Sequence, residues 1–482
     1  AIMMMAMSVT AFAAEGATGT HTLTVNVKST EPAQDLKGQT INLYKLFDVT
    51  ESGTTESKNY AYTVNTETGY KDAIKSALGT SFSGTTDEEY AAAVLALKDT
   101  EVAVQKFAND FTAEALTKNL SATANSGKIT EENKTSYTFN NLAAGYYLVY
   151  VTGGKEIQSS LVTVDETTTT VNLKTEAPSI EKTADKTTVN IGDVVTYNVK
   201  GVIPDTTGYD QYQYIIHDEL STGLDFVNDT TGTALGEAAT TVNVKVAFGA
   251  DVTDEGTAPT TATLDSTNKR KMSLDLSAWV KANQTNNKGK EFTVTYYAKV
   301  NKDAIVTEKN KAQLEYGNKP GETTTTTPSE AKTPTYPLDI NKIKKGTEEK
   351  LAGAKFSLYT SEEDAKNGEN AIKVSGSNGN YIVDPASTTT EFESAKSIDG
   401  KKYNLHVNGL AAGDYWLVET KAPEGFNKLT NPIKVTITKA GDTEWTVSKD
   451  NAEETDKIID IENSTGSLLP STGGRGAIAF AV

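Results

Sequence analysis

Apolar residues recur at every second position through much of this chain, in short runs that end in clusters of Gly, Asn, Asp, Ser and Thr. That is the pattern of half-buried strands joined by turns. Leu23, Val25 and Val27 alternate in LTVNVKS, INLYKLFDV reads as a second strand, and Tyr137 and Phe139 begin a third. NNLAAGYYLVYV and SSLVTVDETTTTVNL add β-branched and aromatic strands, split by Gly145 and by Gly153 and Gly154. Between residues 70 and 120 the period changes. Tyr90, Val94 and Leu97 fall at helical spacing behind Thr86 and Glu89, a capping-box pair. Residues 15–176 are thus expected to form a β-sandwich with a helical insertion.

Residues 177–333 carry VVTYNVKGVI, VNVKVAF, EFTVTYYAKV and AQLEY, evenly spaced short strands that suggest an immunoglobulin-like sandwich. GETTTTTPSEAKTPTYP, with three prolines and few large apolar groups, reads as an extended linker. Residues 334–466 return to alternation in LDINKIK, GAKFSLY, GNYIVD, KYNLHVNGL, GDYWLVET, PIKVTIT and KIIDIEN. LAAGYYLV in the first unit and LAAGDYWLV in the third share spacing and residue types, an internal repeat that implies related folds. The fold class is mainly β, with tandem sandwiches, and 482 residues suit three domains of ordinary size.

Charge and composition narrow the function. Against 46 basic residues stand 64 acidic ones, and a net charge of −18 repels nucleic acid and anionic lipid. There is no cysteine, and His21, His217 and His406 are too far apart for a zinc motif, so no cofactor is expected. No EF-hand loop occurs, which leaves calcium at irregular sites open. G-x-S-x-G, P-loop, HExxH and Cys/His signatures are also absent, so the chain is not expected to be an enzyme. Paired carboxylates remain open among so many acids.

The two ends point to export. Residues 1–14, AIMMMAMSVTAFAA, run apolar into an A-x-A pattern and then meet Glu15, like the end of a secretory signal peptide. In residues 467–482, Leu469, Pro470, Ser471, Thr472 and Gly473 precede an apolar run, AIAFAV. This segment resembles the LPXTG sorting signal of wall-anchored Gram-positive proteins. The rest of the leader, and the family's full hydrophobic stretch and basic tail, are expected to lie beyond the given residues.

In the third unit, Tyr415 to Phe426 (YWLVETKAPEGF) resembles the E-box of collagen-adhesin B-type domains and of Gram-positive pilins. In that family the box's Glu sits beside a first-strand Lys and a last-strand Asn that become joined by an isopeptide bond. The matching residues are Glu419, Lys342 and Asn463. The chemistry requires a neutral amine, so Lys342 is expected to be buried, where desolvation penalises the ammonium. A carboxyl in the same core is expected to stay protonated, polarise the Asn463 carbonyl by hydrogen bonding and relay protons as ammonia leaves. The middle unit resembles pilin middle domains of collagen-adhesin A type, which implies Lys182 and Asn310 as the joined pair and Asp218 as the acid, with Glu219 as the other candidate. The first unit has Tyr150 where the box would place Glu, so no bond is expected there.

Taken together, the chain resembles a sortase-assembled Gram-positive pilus backbone subunit. The resemblance implies that a sortase cuts after Thr472 and joins it to a lysine of the next copy. Lys174, in VNLKTEAP at the first boundary, matches that lysine by position, although the flanking residues depart from the family's YPKN-like motif. Implied partners are a pilus-type or housekeeping sortase, further copies of the chain, basal and tip pilins, and peptidoglycan, at the cell wall or in a fimbrium outside the cell. A second reading stays open: a monomeric wall-anchored adhesin or minor pilin whose first unit binds a host protein or glycan.

Overall fold

The computed structural model describes residues 19–27, 35–54, 56–154, 157, 159–165, 170–173, 177–207, 211–317 and 323–470. Within them the chain is mainly β, and its six sheets fall in three successive pairs.

The first pair combines a three-stranded sheet, His21–Asn26 between Ser136–Leu142 and Thr170–Asn172, with a sheet centred on Thr40–Thr54 and Gly145–Val151. Every residue of Gly145–Val151 is buried. Its unbroken apolar run is what a strand covered on both faces requires. Tyr147 and Val149 pack with Leu23, Val25 and Phe139 of the small sheet. Tyr146, Leu148 and Tyr150 pack instead against the helices Tyr70–Leu78, Asp87–Leu95 and Glu101–Thr117 through Tyr70, Phe107 and Phe111. The Thr86 hydroxyl caps Asp87–Leu95 by accepting the Glu89 N–H at 3.2 Å, and Tyr90 and Val94 face the core.

The second pair is a sandwich. One sheet orders Leu224–Val227, Glu291–Val300, Val194–Val202 and Glu181–Ala184, with Lys245–Phe248 also pairing with Glu291–Val300. The other contains Gln213–Leu220 between Lys271–Asp275 and Lys309–Gly317. Alternation is strict: Gln213–Leu220 buries every second side chain, as does Glu291–Val300. The segment expected to be an extended linker is different. Thr323–Thr325 and Ser329–Lys332 are strands that pair antiparallel with Lys309–Gly317. An edge strand held by backbone bonds needs few apolar side chains, so composition alone misleads there.

The third pair has a five-stranded sheet, in which Tyr336–Lys344 lies parallel to Ile458–Asn463, and a six-stranded sheet carrying Gly413–Lys421. The repeated LAAG turns behave alike: Tyr147 donates its hydroxyl to the Ala143 carbonyl at 2.7 Å, and Tyr415 does so to Ala411 at 2.7 Å. In the third unit this turn also meets the second. Asn190 accepts the Ala411 N–H at 2.8 Å, Thr188 accepts that of Ala412 at 3.1 Å, and Ile191 donates to the Gly409 carbonyl at 2.9 Å. Gly409 has φ +103 and a Cβ there would strike Ile191, so both backbone shape and close approach demand glycine.

Candidate functional site

Two buried constellations, one in each of the last two units, hold the charged residues singled out from the sequence. In LDINKIK, Leu338, Ile340 and Lys342 share one face of the strand, so the lysine is carried inward with the apolar set. Lys342 is 0% exposed. Its Nζ donates to the Ile461 carbonyl at 3.1 Å and lies 3.9 Å from Glu419 Oε2. An ammonium has three protons to place, and this pocket offers little to receive them. Burial lowers the Lys342 pKa to about 8, against the opposing pull of Glu419 and Glu462.

Glu419 reaches across from the facing sheet. Its Oε1 accepts the Asn463 Nδ2–H at 2.9 Å and the Leu429 N–H at 3.0 Å. Asn463 Nδ2 also donates to the Asn427 carbonyl at 2.8 Å. Glu419 Oε2 and Asn463 Oδ1 are buried without hydrogen-bond partners. The carboxyl therefore touches the amide nitrogen, the group that would leave, rather than the carbonyl oxygen expected from the family resemblance. Asn404 braces the lysine's strand, accepting the Lys342 N–H at 2.7 Å.

In the second unit Lys182 and its partners lie on opposite sheets. Lys182 is on Glu181–Ala184; Asp218 and Asn310 are on Gln213–Leu220 and Lys309–Gly317. Asp218 stands opposite Ala312, and Leu220 opposite Asn310, so Asp218 and Asn310 are diagonal neighbours on one face. Lys182 Nζ is 2.9 Å from Asp218 Oδ2 and both side chains are fully buried. Burial lowers the Lys182 pKa to about 8, with Asp218 opposing. Burial likewise raises the Asp218 pKa, with Lys182 and the hydroxyl of Tyr296 opposing. Both shifts favour an amine and a carboxylic acid over an ion pair. Strand parity decides between the two acids: Glu219 points outward, within 4 Å of Lys271 and Lys311.

Sequence reasoning missed the aromatic floor of this site. Lys182 Nζ lies 4.2 Å from the ring centre of Tyr197 and 4.4 Å from that of Tyr296, and donates to the Tyr296 hydroxyl at 2.5 Å. The available signal was the alternation of EFTVTYYAKV, which puts Tyr296 on the inner face, where a phenol needs a partner. In the first unit Tyr150 is fully buried, and its hydroxyl donates to Asp205 of the second unit. Lys288 lies 3.3 Å from the same carboxylate.

Leu469 and Pro470 are exposed at the end of the described chain. Thr472, Gly473 and Lys174 lie outside the described residues, as does the leader-like segment. Among the described residues no cluster of three metal-ligating side chains occurs, and no helix is long and apolar enough to cross a membrane.

Residues 337–451 match the family described as the SpaA prealbumin-like fold domain. A fimbrial subunit type 1 of Actinomyces viscosus is 31% identical over 184 residues, 34% of this chain and 33% of that protein. The match thus spans about a third of the curated relative's length. Among solved structures, the chain is similar to the T6 backbone pilin of serotype M6 Streptococcus pyogenes, with 16% identity, TM-score 0.42 and coverage of 94% of this chain and 100% of that one. It is also similar to the major pilin SpaA of Corynebacterium diphtheriae, with 15% identity, TM-score 0.44 and coverage of 92% and 100%.

Proposed function

We propose that this chain is a structural subunit of a covalently polymerised pilus on a Gram-positive cell wall, stiffened by self-formed Lys–Asn isopeptide bonds. The observation that carries the reading is the buried Lys342, Glu419 and Asn463 set, which spans the first and last strands of one domain. A fully buried lysine with a single hydrogen-bond partner is costly unless it reacts. Attack of its amine on the Asn463 carbonyl carbon forms an amide and expels ammonia. Glu419, already on the departing nitrogen, supplies the leaving proton and takes one from the attacking amine. The step occurs once per molecule, so the chain modifies itself without being an enzyme. The partial identity to a fimbrial subunit, the SpaA-type domain and the sorting-signal resemblance support the same reading.

In this scheme a sortase cleaves between Thr472 and Gly473 and passes the threonyl group to Lys174 of the next copy. Co-expression with a pilus-type sortase tests it. The wild-type chain is expected to give a ladder resistant to boiling in detergent. Lys174→Ala is expected to abolish the ladder with both internal bonds intact, and Thr472→Ala to abolish the ladder and wall attachment together. A chain that is anchored through Thr472 yet never polymerises would refute the shaft role and leave a monomeric adhesin.

A further inference from the structure

We propose that Tyr296 is a catalytic residue of the second unit, relaying a proton from Lys182 to Asp218 and holding that carboxyl so that its second oxygen addresses Asn310. The inference rests on the proposal that Lys182 and Asn310 become joined. Three observations lead to it. First, the Tyr296 hydroxyl bridges the two charged groups, receiving Lys182 Nζ at 2.5 Å and donating to Asp218 Oδ2. Second, both contacts of Asp218 fall on Oδ2, since Lys182 also reaches that atom at 2.9 Å. Asp218 Oδ1 and both polar atoms of the Asn310 side chain are buried with no hydrogen bond of good geometry, although Asn310 lies close enough to Asp218 and to the Tyr296 hydroxyl to oppose the upward pKa shift that burial gives each. Third, Asn310 is the diagonal neighbour of Asp218 on the same face. Buried orphan atoms are uncommon in native proteins, and three in one pocket mark a place prepared for a change of bonding.

The lysine cannot attack as an ammonium; its proton can reach Asp218 Oδ2 across their direct 2.9 Å contact or through the phenol that bridges them. With Tyr296 in place, a proton passes from Nζ to the phenol oxygen while the phenol's own proton passes to Asp218 Oδ2. Amine, phenol and carboxylic acid result, and no phenolate forms. The Nζ lone pair then attacks Cγ of Asn310, and the carbonyl π pair moves onto Oδ1. Asp218 gives its proton to Nδ2 and accepts one from Nζ. The Cγ–Nδ2 bond breaks, the carbonyl re-forms and ammonia leaves. One C–N bond is made and one broken, with a hydrogen transferred from Nζ to the leaving nitrogen. Tyr197 is an internal contrast: its ring also lies against Nζ, but its hydroxyl bonds neither Lys182 nor Asp218.

The test is a time course on the full chain. It is made by cell-free translation, stopped at a defined moment and sampled by intact mass and peptide mapping at pH values on either side of the lysine's pKa of about 8. The wild-type chain is expected to accumulate the Lys182–Asn310 linked peptide. Tyr296→Phe is expected to slow this at least tenfold, most on the acid side, where the ammonium must be deprotonated within the pocket. Tyr197→Phe is expected to match the wild type. Equal rates for Tyr296→Phe and wild type, or equal slowing in both phenylalanine variants, overturn the role of the hydroxyl while leaving the bond. A wild-type chain that never yields the linked peptide overturns the bond and the role with it. Fluorotyrosine at 296 guards against a folding defect in the phenylalanine variant: a displaced pH profile supports the relay, and an unchanged one refutes it.

Discussion

Replacing Glu419 by Gln isolates the chemistry of the third unit from its packing. Glutamine keeps the shape, and its amide oxygen can still receive the Leu429 and Asn463 N–H groups that Glu419 Oε1 accepts at 3.0 and 2.9 Å. It cannot donate and recover a carboxyl proton, so the bond should fail and the variant's mass should fall short of its own sequence mass by one ammonia fewer than the wild type's does. Lys342 and Asn463 are 121 positions apart. A cross-link closing such a loop constrains the unfolded chain by about 5 kcal/mol on the loop-entropy scale. For a domain of this size each kcal/mol moves Tm by about 3–6 °C, so the third unit should melt about 15–30 °C lower. The lost local hydrogen bonding accounts for only about 1 kcal/mol of this. Intact mass and scanning calorimetry read the two effects on one sample. Ammonia loss in Glu419→Gln would refute the carboxyl's role; an unlinked variant melting within a few degrees of wild type would refute the loop argument.

Lys182→Ala should remove one ammonia's worth of mass deficit and leave the third unit's linked peptide intact, as read by peptide mapping. Linkage makes a second prediction for Asn463→Ala, which cannot react yet keeps Lys342. The lysine's folded pKa of about 8 lies below its ordinary value of 10.5, so the unfolded chain binds more protons between those values. The variant should therefore gain stability as pH rises from about 8 towards 10.5, a slope that denaturant titration detects and that the linked wild type lacks. Tyr150→Phe takes the phenol donor from Asp205 Oδ2 at the junction of the first two units, while Lys288 and Thr207 still hold Oδ1. It should cost about 1–3 kcal/mol, seen as a lower first melting transition with no change in mass deficit.

What the sequence revealed about these sites came through parity and motif. Leu338, Ile340 and Lys342 alternate, as do Ile180, Lys182 and Ala184, so strand parity alone aims each lysine at a core. The same parity, once Gln213–Leu220 is recognised as a strand, separates inward Asp218 from outward Glu219. Contacts between units were not readable. Aligned on the two tyrosines that bond back to their LAAG turns, the position of Glu419 falls on Val151 and not, as expected, on Tyr150, which lies on the other face of its strand; its partner Asp205 belongs to another sandwich, and the pairing depends on how two domains abut. Tyr296 could be seen as buried, yet its meeting with Asp218 depends on which strands face each other across the sandwich. The misread linker fails for a simpler reason: its order comes from backbone pairing with Lys309–Gly317, to which side-chain composition is nearly blind.

The register of that misread segment leads to a mechanical prediction. With both bonds formed, tension entering before Lys182 crosses to Asn310 and bypasses everything between them. In the third unit it passes from Lys342 to Asn463, bypassing the strands enclosed there. Between the two bonds the load must follow the backbone from Asn310 to Lys342, and here no cross-link protects it. Asn310 stands opposite Ala331 across an antiparallel pair, so pulling on these two residues opens the hairpin from its end, one rung at a time. Unzipping meets far less resistance than shearing, because the rungs are loaded singly. Once residues 311–317 have also left Gln213–Leu220, the 21 peptide steps from Asn310 to Ala331 extend to about 70 Å. Single-molecule pulling on the wild-type chain should show one reversible step of that size from this region, and Lys182→Ala should replace it with a step of about 400 Å or more as the whole second unit unravels. A wild-type chain with both bonds and no short step would show that the edge strands are held by something stronger than their ladder.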